Sequence, residues 1–271
     1  MKLTARFAAS AALLMLLAGT TGCAKLKARD RLVKGVQAFK AGRYEEATNF
    51  FQESIQLDPN YQAAHLYLAT AYSYQVVPAL DTPENKALAQ KALDGFNDVL
   101  AQNPNDLGAL KQEASIYRNI KDYDKAKELE MKIIALDPKD SEANYTIGVI
   151  DWTQAYKNSV TILGKAGITD DGQGNAKKGK DVCQQLVTAN GQLIDEAIKY
   201  LQQAVEINPN YDDAMQYLNL SYRRKADLEC GNDDARKADL ASADEWVQKA
   251  TGARRANEAE KEKKAGGGIT M

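Results

Sequence analysis

The chain has 271 residues, with 35 Lys and Arg against 37 Asp and Glu and a formal net charge of −2. Without the first 22 residues, which hold Lys2 and Arg6, the balance is 35 − 2 = 33 basic against 37 acidic, or −4. That excludes the strongly basic footprint of a nucleic-acid binder. Roughly 250 residues remain, enough for one continuous stacked core, so one domain is expected.

In chain order, a short basic segment, Met1 to Arg6, precedes an apolar run from Phe7 to Ala18. The run is too short for the roughly 20 residues a bilayer-spanning helix needs, and it reads as an export signal over residues 1–22. Thr20-Thr21-Gly22-Cys23 resembles the cleavage and lipidation box of bacterial lipoproteins, with Thr20 where an aliphatic residue is usual. The resemblance implies that Cys23 is the acylated first mature residue, held stably by two or more chains. An ordinary secreted protein cut near Cys23 is the alternative. Ala24 stands where aspartate marks inner-membrane retention in that family, which implies a periplasm-facing place at the outer membrane. Residues 23–27 form a short linker, so the body stands near the membrane. Lys25, Lys27, Arg29 and Arg31 either touch anionic head groups or serve as a soluble leader.

The body is built on a repeat. Pro104 and Pro138 close successive apolar-periodic helices and lie 138 − 104 = 34 residues apart, a period typical of stacked helical hairpins. Leu110, Ala114 and Tyr117 share one helix face; Lys121-Asp122-Tyr123-Asp124 turns the chain; Ala126, Leu129, Ile133 and Leu136 share a second. Further copies show Gly35, Ala47, Phe51, Ser54 and Pro59; Ala69, Tyr72, Ala92, Phe96 and Pro104; and Gly148, Ala197, Leu201, Ala204 and Pro209. A fifth starts at Asp212 with Leu218 and Tyr222 and closes with Ala243, Val247 and Ala250. This signature resembles the tetratricopeptide repeat and predicts an all-α solenoid of about five hairpins over residues 28–252, at about 28–61, 62–106, 107–140, 141–211 and 212–252. Small residues at Gly35, Ala69, Ala114 and Gly148 let paired helices approach closely, aromatics fill the wedges between hairpins, and each proline stops a helix.

Insertions are expected in the second, fourth and fifth repeats. Pro59 to Pro104 is 104 − 59 = 45 residues, placing 11 extra around Val76 to Pro83, and Pro138 to Pro209 is 209 − 138 = 71, placing 37 extra over about 155–192. The second of these reads as a turn-rich exposed excursion, either functional or mobile, ending in a helix from about Asp181. Its Asp170-Asp171-Gly172-Gln173-Gly174-Asn175 lacks the spacing and closing glutamate of a twelve-residue calcium loop, so a solvated turn is expected. No phosphate-cradling Gly-rich order appears. With Cys23 lipidated, Cys183 and Cys230 remain as an even pair in an oxidising compartment and are expected to form a disulfide. The residues 253–271 form a charged tail, helical at first and disordered beyond Ala265.

His65, the one histidine, sits where the repeat family usually has tryptophan and is expected to pack. Glu45-Glu46 and Asp212-Asp213 fall at helix starts and complement helix dipoles. No enzyme, metal, cofactor or small-molecule substrate is expected. The resemblance implies a concave groove that binds a protein partner, lined by Tyr74, Lys111, Arg118, Asn119, Tyr145, Trp152, Arg223 and Arg224. Leu32 and Val36 stand where the family's carboxylate clamp has lysine and asparagine, so that mode is not implied. The expected function is an envelope-anchored interaction scaffold. A structural subunit of an outer-membrane or pilus-biogenesis machine, or a regulator of a cell-wall enzyme, are the alternatives.

Overall fold

The structure, a computed structural model, describes residues 23–266; the expected export signal and the last five residues of the tail lie outside them. All the regular structure of the described residues is helical, without a strand. Helix α1 spans 23–40, followed by α2 (Tyr44–Leu57), α3 (Gln62–Ser73), α4 (Pro83–Gln102), α5 (Leu107–Asn119), α6 (Tyr123–Leu136), α7 (Ser141–Lys165), α8 (Lys180–Ile207), α9 (Asp212–Ala226) and α10 (Asp233–Gly266). Where one domain is expected from the sequence, the chain divides into two compact units, one ending at Leu129 and one beginning at Glu130, within α6.

Four prolines close helices by the same device. Asp58, Asn103, Asp137 and Asn208 each precede a proline, whose ring forces the preceding residue out of the helical region. Asp58, Asn103 and Asn208 accordingly adopt φ near −141°, −134° and −123°. Each of the four side-chain oxygens accepts the backbone N–H two residues on, at 3.4, 3.4, 3.1 and 3.3 Å in chain order. Each backbone carbonyl accepts the N–H three residues on, at 3.0–3.1 Å. An Asx turn thus ends one helix and aims the next, which is why the residue before the proline is Asp or Asn.

In the unit ending at Leu129, Phe51 and Phe96 are fully buried, within Leu32, Ala47, Ala64 and Ala71 and within Ala69, Ala92, Leu93 and Ile116 respectively. Gly35 is there because a Cβ would overlap the Phe51 ring. Gly35→Ala is expected to lower stability, because about 1–3 kcal/mol of overpacking outweighs roughly 1 kcal/mol gained in helix propensity; urea unfolding measures it, and a more stable variant would contradict the packing argument. The expected insertion lies between α3 and α4 and is an ordered strap. Buried Asn85 donates to the carbonyls of Val77 and Leu80 at 3.0 and 2.8 Å and accepts from Val77 N–H at 2.8 Å. At its tip Ala79 donates to the last carbonyl of α5, Asn119, at 2.8 Å.

In the unit beginning at Glu130, α7 packs along α8, α8 against α9, and α9 against α10. The expected exposed excursion over about 155–192 is corrected here. Helix α7 continues to Lys165 and α8 starts at Lys180, so the helices absorb most of the extra residues and only 166–179 is irregular. Buried Ala155, Ser159 and Leu163 extend the inward stripe of α7, and Cys183, Leu186, Asn190 and Ile194 extend that of α8. Two polar residues interrupt the apolar pattern but satisfy each other, since Asn190 Nδ2 donates to Ser159 Oγ at 2.9 Å and Asn158 Nδ2 donates to Asn190 Oδ1 at 3.1 Å. In the fifth repeat the connection 227–232 has six residues against the three of 120–122 in the third. Helix α10 buries Ala243, Ala250 and Ala253, the last two against Met215. Beyond them Arg254 Nε donates to Asp212 at 2.9 Å, and Asn257 Nδ2 donates to Asn210 O at 3.0 Å and Asp212 Oδ1 at 3.1 Å.

Candidate functional site

Of the residues expected to line a partner groove, those in the first unit are spread over the end of α3 and along α5. Tyr74 caps α3 and is 56% exposed, with its ring 5.0 Å from Phe39 and 5.4 Å from Tyr44. It therefore joins an aromatic trio at the α1–α2 turn. Ser73 Oγ donates to Gln112 Oε1 at 3.4 Å, which ties α3 to α5, the helix that carries Lys111, Arg118 and Asn119. Lys111 is exposed, Arg118 and Asn119 are half-buried, and Asn119 is occupied through its carbonyl by the Ala79 strap. His65 is half-buried, and its Nε2 lies 2.9 Å from Pro59 O at the start of α3.

The second unit gathers aromatic rings into one face. Tyr145 and Trp152 on α7 both meet Tyr217 of α9 edge-on, at 5.7 and 5.2 Å between centroids, while Tyr156 stacks on Trp152 at 5.2 Å and Tyr211 lies 4.9 Å from Tyr145. The spacing 145, 152, 156 places the α7 rings on one helix stripe. Tyr156 is 44% exposed and Val160, one turn on, 46%. Burial pushes the Tyr211 and Tyr217 phenols up, so they stay neutral donors. Tyr156 and Tyr217 are functional candidates that motif alignment overlooks, because Tyr156 lies in the part of α7 beyond the ordinary repeat. The i, i+4 and i, i+11 spacing from Trp152 and Tyr145 is the signal that finds it.

Arg223 and Arg224 belong to a different assembly, which corrects their place in the expected groove. Arg224 is 5% exposed; its guanidinium donates to Asp170 Oδ1 at 2.9 Å and pairs with fully buried Asp227 at 3.0 Å. Arg223 donates to Gly172 O at 3.2 Å and to Asp244 at 2.8 Å. The two arginines hold the segment 166–179 onto the end of α9. Asn175 links the same parts, donating to Asp227 Oδ1 at 2.7 Å, and Arg236 donates to Gln173 O at 2.9 Å. The acidic turn folds on itself as well: Asp170 Oδ1 accepts Gly172 N–H at 3.0 Å, and Asp171 Oδ1 accepts from Gln173 at 2.7 Å and Asn175 at 2.9 Å. Beside it Cys183 and Cys230 form the expected disulfide, with Cα atoms 5.6 Å apart. Cys23 is a free, exposed cysteine at the head of α1.

Two carboxylates share one guanidinium here, and their environments drive them apart. Burial raises Asp170, but the Arg224 and Gly172 donors outweigh it and hold the carboxyl below the usual range. Asp227 is so deeply buried that it is pushed up to about 6 despite Arg224 and Asn175. A raised folded-state value means that Asp227 stabilises the fold when protonated; the contribution is whole below its ordinary 3.8 and is lost as pH rises through about 6. From pH 4 to 7 the loss is about 2 kcal/mol, and Asp227→Asn is expected to remove it. Urea midpoints for both proteins across that range test this. Parallel pH profiles would show that Asp227 does not titrate there.

The described residues contain no group of three or more His, Cys, Asp or Glu placed to hold a metal. The tetratricopeptide repeat family matches residues 38–73, 112–140 and 190–211. No curated protein matches the sequence. Among solved structures, MamA from Desulfovibrio magneticus RS-1 is 19% identical, with 85% of this chain and 96% of that chain covered at a TM-score of 0.54. A MamA RS-1 double mutant is 19% identical, covering 86% and 97% at 0.55, and a further MamA structure is 16% identical, covering 90% and 97% at 0.53. Domains built of such repeats generally bind protein partners. Tetratricopeptide repeats are thus recognised in this chain, and its all-helical fold is of the tetratricopeptide solenoid type.

Proposed function

We propose that the protein is a non-enzymatic scaffold, tethered in the cell envelope through acylated Cys23, that holds a partner polypeptide against the aromatic face of α7 and α9. The observation that carries this reading is the continuous set Tyr145, Trp152, Tyr156 and Tyr217, partly exposed and mounted on two packed helices. Rigid aromatic rings give large contact area at little entropic cost, which is why binding hot spots favour them. The lipoprotein-like resemblance at Cys23 and Ala24 supports the outer membrane as its place.

A photoreactive residue at Tyr156 in native envelopes tests the site, with a matched probe at exposed Lys199 on α8 as control. One dominant protein adduct specific to position 156 is expected. Adducts at 199 and none at 156 would move the binding surface elsewhere. A fixed subunit of an envelope assembly is the second reading, favoured by Tyr74, Val77 and Leu80, which are 56%, 51% and 45% exposed along one short stretch. Crosslinks from Val77 that survive purification of the adduct in a constant-mass complex would favour it.

A further inference from the structure

We propose that the outer face of α1 is a contact surface for an anionic lipid bilayer. Residues 23–40 hold six basic residues and one acidic, Asp30, a net charge of +5. Residues 41–271 hold 35 − 2 − 6 = 27 basic and 37 − 1 = 36 acidic residues, or −9. The first helix is therefore net positive while the rest of the chain after it is net negative.

The helix is also two-faced in shape. Ala28, Leu32, Gly35 and Ala38 are buried against the repeat, and Ser54 Oγ donates to Ala28 O at 2.7 Å to fix that side. On the opposite side Leu26 is 71% and Val33 47% exposed, two turns apart and so in line. Arg29 and Lys40 flank that line, with Lys25 and Lys27 beside Leu26. Arg31 pairs with Glu53 and Lys34 with Asp30, whereas Lys25, Lys27, Arg29 and Lys40 form no ion pair among the described residues. Aliphatic side chains with basic ones on either side suit the head-group boundary, where Leu and Val enter the acyl edge and the Lys and Arg stems reach phosphates. An acidic protein surface would meet the charge but has no need of two aliphatic residues held outward along a cationic helix. The face starts at Cys23 itself, so the acyl anchor of the proposed function would deliver it to the membrane. It rests on that reading for its place in the cell and not for its chemistry.

The test uses the chain from residue 23 onward with Cys23→Ser, which cannot be acylated, sedimented with phosphatidylcholine vesicles with or without 40 mol% phosphatidylglycerol. Binding to the anionic vesicles only, falling steeply between 50 and 300 mM NaCl, is the expected result. Each basic residue near such a surface contributes about fivefold. Lys25→Glu with Arg29→Glu should therefore weaken binding by more than about 25-fold. The same charge change at exposed Lys177 and Lys180 should have little effect. Equal binding to both vesicle types, equal loss from both double reversals, or no binding would overturn the proposal. Capture of polyglutamate but not of vesicles would assign the face to an acidic protein instead. Palmitate labelling of Cys23 in cells is scored separately, so a failed anchor and a failed α1 face give different results.

Discussion

Arg224→Ala is expected to lower the unfolding free energy by about 3–5 kcal/mol, the range for breaking a buried ion pair by removing one partner. The guanidinium serves two carboxylates, and Asp227 is fully inaccessible to water. Without Arg224, Asp170 keeps the Gly172 and Asn175 donors and some exposure, whereas buried Asp227 loses its cation and must take up a proton or draw in water. Asp227→Asn in the same chain should recover part of the loss, since an amide removes the orphaned charge and still accepts from Asn175. A double-mutant cycle over Arg224 and Asp227 by urea unfolding measures the coupling. A single variant within 1 kcal/mol of the parent would mean that the segment 166–179 detaches without consequence for the unit.

Removal of the Cys183–Cys230 bond has the second large effect. The bond closes a loop with a sequence separation of 47 residues. The chain-entropy estimate for such a loop is about 4 kcal/mol. Cys183→Ser with Cys230→Ser, or reduction of the parent, should lower thermal stability accordingly and expose 166–179 to protease. The turn is tied from both sides, by this bond and by the arginines, so the two losses are not expected to add. A loss below about 1 kcal/mol would show that the polar contacts alone hold it.

The repeat was legible because its determinants are local. A proline after Asp or Asn favours an Asx turn wherever it occurs, and Gly35 answers to Phe51 at 51 − 35 = 16 residues, a pairing that Gly148 and Leu201 repeat across the inserted length. The disulfide was legible from parity together with the expected oxidising compartment. The long α7 and α8 were not, because Ser159 and Asn190 break the apolar stripe in sequence and become compatible with a core only when paired in space. Arg223 and Arg224 were misplaced for a related reason. Their repeat positions point to a groove in an array with short turns, but Gly172 and Asp170 approach from more than fifty residues away. Tyr217 joins Tyr145 and Trp152 only once α9 is laid beside α7.

The contacts of Arg254 and Asn257 over the α8–α9 turn bear on self-association. A stack of hairpins can in principle be lengthened by another copy wherever its last apolar stripe is bare. Here that stripe ends at Ala253, and the next turn of α10 covers the approach with an Arg–Asp pair and two amide hydrogen bonds. These contacts hold the turn of α10 beyond Ala253 to the start of α9, so a second copy that displaced α10 there would have to break them.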